Sequence, residues 1–496
     1  MASSRSTKVL ALSLGTFLTQ MVGMVSGIVL ARILTKEDLA TYRQTMLAYQ
    51  FAAPFLILAL PSALYFFLPR KPGAERTVLI SILIPLATMG FIFSVFLLVG
   101  GARLLAWRFS NSGLEHTLRL LAMYPLFALP MAALEACLVA RNQVMRLTVF
   151  NVMSRLLLTA GLIIVCLLTR RPEPLVLTQV VLAGIMVVPA LTLMWQACAA
   201  GNARPEPGMM WEMARYSVPL GLATMLGTMT LQLSSVIVSA LCTPEDFAVY
   251  SVGAFELPLI GIVTGSITTV ILADMSNLCR EGRKNEALWL FQIAAVRSAA
   301  ILLPAMVFFW VAAEPFIIGL FSVKYHDSIL PFRLYLLTLP VRIVTYGAAL
   351  MALGKTRLVL YRSIVDFLLN AFLCAVLVHF FGYLGGVIGM LATLYTWTSL
   401  YNLRTITKGF DVYFKNVLPH GQLLRILFAA LALALPAWGL GNVFALPQIL
   451  KLIVAAVVYW PGTVLLLHWQ GCFPLPSAIG GFVMRAKSLW IRRVPV

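Results

Sequence analysis

Long apolar stretches separated by short polar or basic breaks recur along almost the whole chain. They lie near residues 9–34, 41–67, 77–100, 117–140, 148–168, 175–197, 216–241, 247–273, 288–313, 329–353, 358–381, 384–404, 423–446 and 448–470. Each approaches or exceeds the ~20 residues that a helix needs to cross the hydrocarbon layer. Inside lipid the backbone must satisfy its own hydrogen bonds, which makes helices of these segments. The pattern predicts an all-α polytopic membrane protein with about fourteen transmembrane helices. The first apolar run follows Arg5 and Lys8 and extends from Val9 to Leu34. That is too long for a cleaved signal, so it is read as a retained span. Pro436 and Pro447 interrupt the last two segments, which leaves open whether both cross or one lies in the interface.

A repeat organises these segments. TKEDLATY (Thr35 to Tyr42) follows the first span, and TPEDFAVY (Thr243 to Tyr250) follows the seventh, 208 positions later. Arg119-Leu120 and Arg333-Leu334 form a looser echo, as do Arg141 and Lys355. Parallel repeats of six helices predict two lobes, and transporters of that build hold substrate near the midplane between the halves. The expected organisation is an N-terminal lobe over 1–200, a cytoplasmic linker over 201–215 and a C-terminal lobe over 216–406. A loop over 407–422, two further helices within 423–470 and a basic cytoplasmic tail over 471–496 complete it.

Charge then orients the chain. With the N-terminus in the cytoplasm, 23 Lys and Arg fall on the cytoplasmic side and ten on the other, out of 37. This positive-inside bias predicts cytoplasmic N- and C-termini. It also explains most of the net charge of +19, which would otherwise suggest nucleic acid. No zinc-knuckle, RNP-like or basic-arm pattern supports a nucleic-acid partner. With 61% hydrophobic and 11% charged residues, there are too few polar groups to clothe a water-soluble surface. The seven cysteines show no paired spacing, so neither a disulfide framework nor a metal site is expected.

Enzyme motifs are missing. Gly354-Lys355-Thr356 resembles the end of a phosphate-binding loop, but Ala349 stands where that loop needs glycine. The informative residues are charges inside spans, each costing about 2.5–3.5 kcal/mol at a helix centre and so turned toward a bundle interior or wet cavity. Arg342 lies near the middle of span ten, Arg155 about two turns into span five, Arg297 at similar depth in span nine, and Arg43 near the outer end of span two. Asn151, Arg155 and Thr159 recur every four residues on one helical face. An arginine fork stays charged and binds phosphate bidentately, which suits an anionic substrate. The alternative is that these arginines snorkel or pair with Glu135, Glu256 or Asp366. Glu256 and Asp366 are the acids best placed to carry a proton or sodium ion, although Arg362 and Asn370 flank Asp366 and favour a local ion pair there. GxxxG pairs at Gly23/Gly27, Gly261/Gly265 and Gly385/Gly389 permit close helix approach.

The stretches Val29 to Tyr42, Ala214 to Leu222, Leu241 to Leu257, Phe321 to Ser328 and Ala349 to Met390 resemble the Wzx-type polysaccharide flippases. These belong to the multidrug/oligosaccharidyl-lipid/polysaccharide exporter superfamily. The resemblance spans roughly residues 10 to 405. It implies a two-lobed, twelve- to fourteen-helix transporter of the bacterial inner membrane, not an enzyme. Such a protein carries undecaprenyl-diphosphate-linked oligosaccharide to the periplasmic leaflet by alternating access, for O-antigen or exopolysaccharide synthesis. A cationic central cavity is expected to hold the diphosphate, and Arg155, Arg342, Arg297, Arg43, Arg32 and Asn151 are its candidates here. Arg32 matches the arginine common in the family's segment after span one. Glu256 and Asp366 are the candidate ion-coupling residues. No cofactor is implied beyond a candidate H+ or Na+ gradient. The expected partners are the lipid-linked oligosaccharide and membrane lipid, with polysaccharide polymerase and chain-length proteins as candidates; the chain is expected to act as a monomer. A lipid II flippase and a cation-coupled multidrug exporter of the same superfamily are the rival readings. The lack of arginine in span eight speaks against the first, and the scarcity of N-lobe acids speaks against the second.

Overall fold

The computed structural model describes residues 5–354, 356–443 and 446–471, so Lys355 and nearly all of the expected basic tail lie outside it. Among the described residues all regular structure is helical. Ten helices among the described residues are long and apolar enough to cross a membrane, and twelve if two bent pairs each count as one span. The bent pairs are Lys36–Ile57 with Leu60–Arg70, at 45°, and Gly113–Leu121 with Tyr124–Ala140, at 50°. The two other predicted spans are helical but interrupted. One is Pro244–Gly253 followed by Pro258–Arg280, and the other is Tyr383–Ala392 continuing through a wide turn into Leu400–Phe410. Both C-terminal segments form long helices, His420–Val443 and Gln448–Trp469, with Pro436 accommodated inside the first. The protein is a multi-pass membrane protein. Trp107 and Trp289 stand exposed, as expected of residues at a membrane–water boundary.

The chain divides into two compact units, Met1–Ser251 with Ser363–Met390, and Val252–Arg362 with Leu391–Val496. In the first unit the repeat has a local cause. Thr35 caps its helix by accepting from the Asp38 amide at 3.1 Å, and its hydroxyl donates to the Asp38 carboxylate at 2.6 Å. Thr243 and Asp246 reproduce both bonds, at 3.2 and 2.8 Å. Each Thr-x-x-Asp thus satisfies a free amide in a helix's first turn, with acid placed at the positive end of the helix dipole.

The first bend falls at Leu58 and Ala59, which have φ of 43° and 52°, rather than at Pro54. Gly221, on the helix Pro207–Leu241, packs on this bend; a Cβ there would come within 2.5 Å of the Leu58 carbonyl oxygen. The first helix, Arg5–Ile33, lies along Val144–Thr169 through similar approaches, with Gly15 facing Thr148 and Gly23 facing Arg155. A core of Leu64, Phe67, Leu79, Ile82, Leu86 and Cys137 packs within the unit, and Leu147 near the start of Val144–Thr169 belongs to it. Two cysteines with no sequence pairing meet there, Cys137 and Cys198, both buried with sulfurs 3.6 Å apart.

The second unit is built around Lys284–Val311, which packs against Pro258–Arg280 and His420–Val443. Phe308, Ala430, Ala434 and Tyr459 form its core, and the Tyr459 hydroxyl donates to the Pro304 carbonyl at 3.0 Å. Small residues at this seam let the helices approach closely where lipid supplies no hydrophobic drive.

Candidate functional site

In the first unit, Asn151, Arg155 and Thr159 share the face of Val144–Thr169 that the four-residue spacing requires. Asn151 lines a cavity of about 390 Å³ together with Tyr49, Tyr124, Glu135, Ser154 and Gln179. Arg155 lies one turn farther along and is half-buried. Its guanidinium occupies the space that a side chain at position 23 would fill: a Cβ on Gly23 would stand 1.8 Å from Nη2. Thr159 donates to the backbone carbonyl of Val22 at 3.4 Å, so the first helix is tied to this face next to Gly23.

The charge of Arg155 is felt by nearby phenols. It reaches the phenols of Tyr42 and Tyr124, and the charge of Arg43 reaches Tyr42 as well. Gln179 donates to the Tyr42 hydroxyl at 2.8 Å, and Tyr124 meets Tyr49 edge-on with centroids 4.9 Å apart. Among the described residues no carboxylate pairs with Arg155, and its buried Nε has no hydrogen-bond partner. A guanidinium carries five N–H donors, and a buried one left without acceptors is costly. The arrangement favours an anion with several acceptor oxygens.

Arg43 is spent differently, donating from Nη1 to Ser251 Oγ at 2.7 Å. Beside it runs a buried polar network: Asn111 donates to Gln44 at 2.6 Å, and Gln44 donates to Ser239 at 3.0 Å. Asp366 is buried, and one turn on Asn370 donates to the Thr230 carbonyl at 3.3 Å. Arg32 is exposed in the last turn of its helix.

In the second unit Arg342 and Glu256 form an ion pair through Nη1 and Oε1, with Tyr335 against the same guanidinium. Glu256 lies in the non-helical stretch 254–257, between Pro244–Gly253 and Pro258–Arg280. Arg342 ends the four-residue helix Leu339–Arg342. Arg297 is exposed between buried Val296 and Ser298. Of the residues expected from sequence, the structure therefore joins Glu256 to Arg342 and places Asn151 beside Arg155. Tyr42, Tyr124, Gln179 and Tyr335 were not anticipated. Tyr42 closes the repeated octapeptide, which is the one sequence signal that could have found it.

The family model described as "Polysaccharide biosynthesis protein" matches residues 29–330. The chain belongs to this family. That match includes the repeat, Arg155 and Glu256, and stops short of Arg342. Among curated proteins none matches significantly. Among solved structures, the lipid II flippase MurJ in an inward closed conformation is similar with a TM-score of 0.76 and 15% identity, over 92% of this chain and 99% of that one. An inward-facing multidrug resistance MATE transporter of the MOP superfamily gives 0.64 at 15% identity, over 82% and 99%. A MOP superfamily transporter from Pyrococcus furiosus gives 0.58 at 15%, over 81% and 96%. The family member thus has the fold of the MOP superfamily, whose solved members here are transporters and flippases.

Proposed function

We propose that this family member is a flippase that carries an undecaprenyl-diphosphate-linked oligosaccharide from the cytoplasmic to the periplasmic leaflet of the bacterial inner membrane by alternating access. The observation that supports this most is Arg155, a cation within an apolar span whose buried Nε has no hydrogen-bond partner and which pairs with no carboxylate among the described residues. A diphosphate offers the acceptor oxygens and negative charge that this fork lacks. Membership of a polysaccharide biosynthesis family favours a glycan as the rest of the cargo. In this reading the protein is monomeric, keeps both termini in the cytoplasm and works with polymerase and chain-length proteins.

The test is leaflet transfer of a labelled lipid-linked oligosaccharide in sealed proteoliposomes, with lipid II and a fluorescent drug cation as parallel cargoes. Transfer of the oligosaccharide, weakened at least tenfold by Arg155→Ala, is expected. Preferential transfer of lipid II or of the drug would replace this reading by one of its rivals.

A further inference from the structure

The cavity in the first unit has a lining that does not suit the apolar spans around it. Its volume of about 390 Å³ falls in the lower part of the range for small-molecule sites. Asn151 and Ser154 line it from one face of Val144–Thr169, and Tyr49, Tyr124, Glu135 and Gln179 line it from neighbouring helices. A space meant for lipid tails would be apolar throughout, because an unpaired polar group in hydrocarbon is costly. Here several polar groups are left open. Among the described residues the Asn151 side chain makes no hydrogen bond, and Glu135 makes neither a hydrogen bond nor an ion pair.

We infer that this cavity is a subsite for the sugar bonded directly to the diphosphate, and that Glu135 makes it select a neutral sugar over an acidic one. The inference rests on the flippase reading above and adds which part of the cargo is read for specificity.

The lining chemistry comes first. A sugar ring has apolar C–H faces and a rim of hydroxyls, so its site needs aromatic area beside hydrogen-bonding groups. Tyr49 and Tyr124, meeting edge-on with centroids 4.9 Å apart, supply apolar rings with polar tips. Asn151 and Gln179 bring carboxamides that both donate and accept, and Ser154 brings a hydroxyl. Gln179 already donates to Tyr42, which holds its amide in place at the cavity wall.

Position is the second support. Asn151 and Arg155 are one helical turn apart, about 6 Å along the axis. The Arg155 charge also reaches Tyr124, which is part of the cavity wall. A diphosphate held by the guanidinium therefore brings its attached sugar to the cavity. Every residue in this arrangement belongs to the first unit.

Charge decides which sugar. Among the described lining residues Glu135 is the one acid, and no Lys, Arg or His accompanies it. A carboxylate accepts hydrogen bonds from hydroxyl and acetamido groups. It repels a uronate, and such a like-charge clash discriminates without any added contact.

The test measures binding to the full-length protein in nanodiscs. The ligands are undecaprenyl diphosphate, the same carrier bearing one neutral hexose or N-acetylhexosamine from a panel, and the hexuronate counterparts. The readout is the ratio of sugar-bearing to bare-carrier affinity within each protein. Wild type is expected to bind at least one neutral form tenfold more tightly than the bare carrier, and no hexuronate form more tightly than the bare carrier. Asn151→Ala and the cavity-filling Ser154→Phe should each lower the neutral ratio at least fivefold. Glu135→Gln should keep the neutral ratio within severalfold and raise the hexuronate ratio at least tenfold. Melting profiles and measurable bare-carrier binding identify the folded variants. A neutral ratio near one in wild type, or one unchanged in both Asn151→Ala and Ser154→Phe, overturns the subsite while bare-carrier binding keeps the flippase reading. Hexuronate binding that matches the neutral forms in wild type, or that ignores Glu135→Gln, overturns the selection by charge. Wild type binding none of the carriers removes the flippase reading and the subsite together.

Discussion

Arg43 donates to Ser251 at 2.7 Å, and these two residues are 208 positions apart, the offset that separates the two copies of the repeat. Each stands eight residues beyond its own capping threonine, Thr35 or Thr243. The copies therefore meet at equivalent positions, as the two surfaces of an isologous contact do. The residue types have diverged, so one copy supplies a charged donor and the other its acceptor. A double-mutant cycle on Arg43→Ala and Ser251→Ala should return a coupling of about 1–2 kcal/mol, the range for a hydrogen bond to a charged group. Additive losses in thermal unfolding would mean that the bond contributes nothing to stability.

Arg155→Ala should lower cargo transfer at least tenfold while leaving the folded fraction close to wild type. The reason is that removing a half-buried cation with no carboxylate partner among the described residues relieves a desolvation cost rather than adding one. Size-exclusion and melting profiles, read beside transfer, check both halves. A variant that loses stability together with activity would assign Arg155 to packing.

Gly23→Ala tests the same guanidinium from the opposite helix. Its new Cβ would overlap Nη2 of Arg155, the far end of a flexible side chain, so the arginine rather than the backbone should move. Transfer is expected to fall severalfold with a melting temperature within a few degrees of wild type. Gly27→Ala, with nothing within 4 Å of its added carbon, is the control and should transfer normally.

Thr35→Ala and Thr243→Ala each remove a cap that donates and accepts across one turn. Each should cost about 1 kcal/mol in unfolding free energy, and because the two caps are built alike the costs should agree to within a factor of two or three. Unequal losses beyond that would show that the second copy of the cap has lost its structural role.

Cys137 and Cys198, with sulfurs 3.6 Å apart and no exposed surface, should resist maleimide in the folded protein and react after denaturation. Under a membrane-permeant thiol oxidant they should form the one cross-link that peptide mapping recovers between the segments 133–140 and 194–198. Rapid labelling of both thiols in native membranes would contradict their placement.

Much of the architecture was legible because its causes are local. Apolar length decides where a chain crosses lipid, since every backbone amide there must bond within its own segment. The Thr-x-x-Asp caps were visible as a repeated octapeptide because such a cap spans only four residues. The four-residue spacing likewise put Asn151, Arg155 and Thr159 on one face. Proline was a mixed guide. Pro54 and Pro304 sit inside continuous helices, whereas Pro61, Pro258 and Pro340 stand in the first two positions of helices that follow a break.

The sequence by itself determined that this chain lives in a membrane, which segments are helices, and which charges fall inside apolar segments and so need a reason. Only the tertiary structure decided what answers each of those charges. Glu256 and Arg342 are 86 residues apart and Gly23 is on a different helix from Arg155, so no spacing rule could pair them. The electrostatics of a cation in lipid depends on the few ångströms around it, and those are filled by whichever helices pack there.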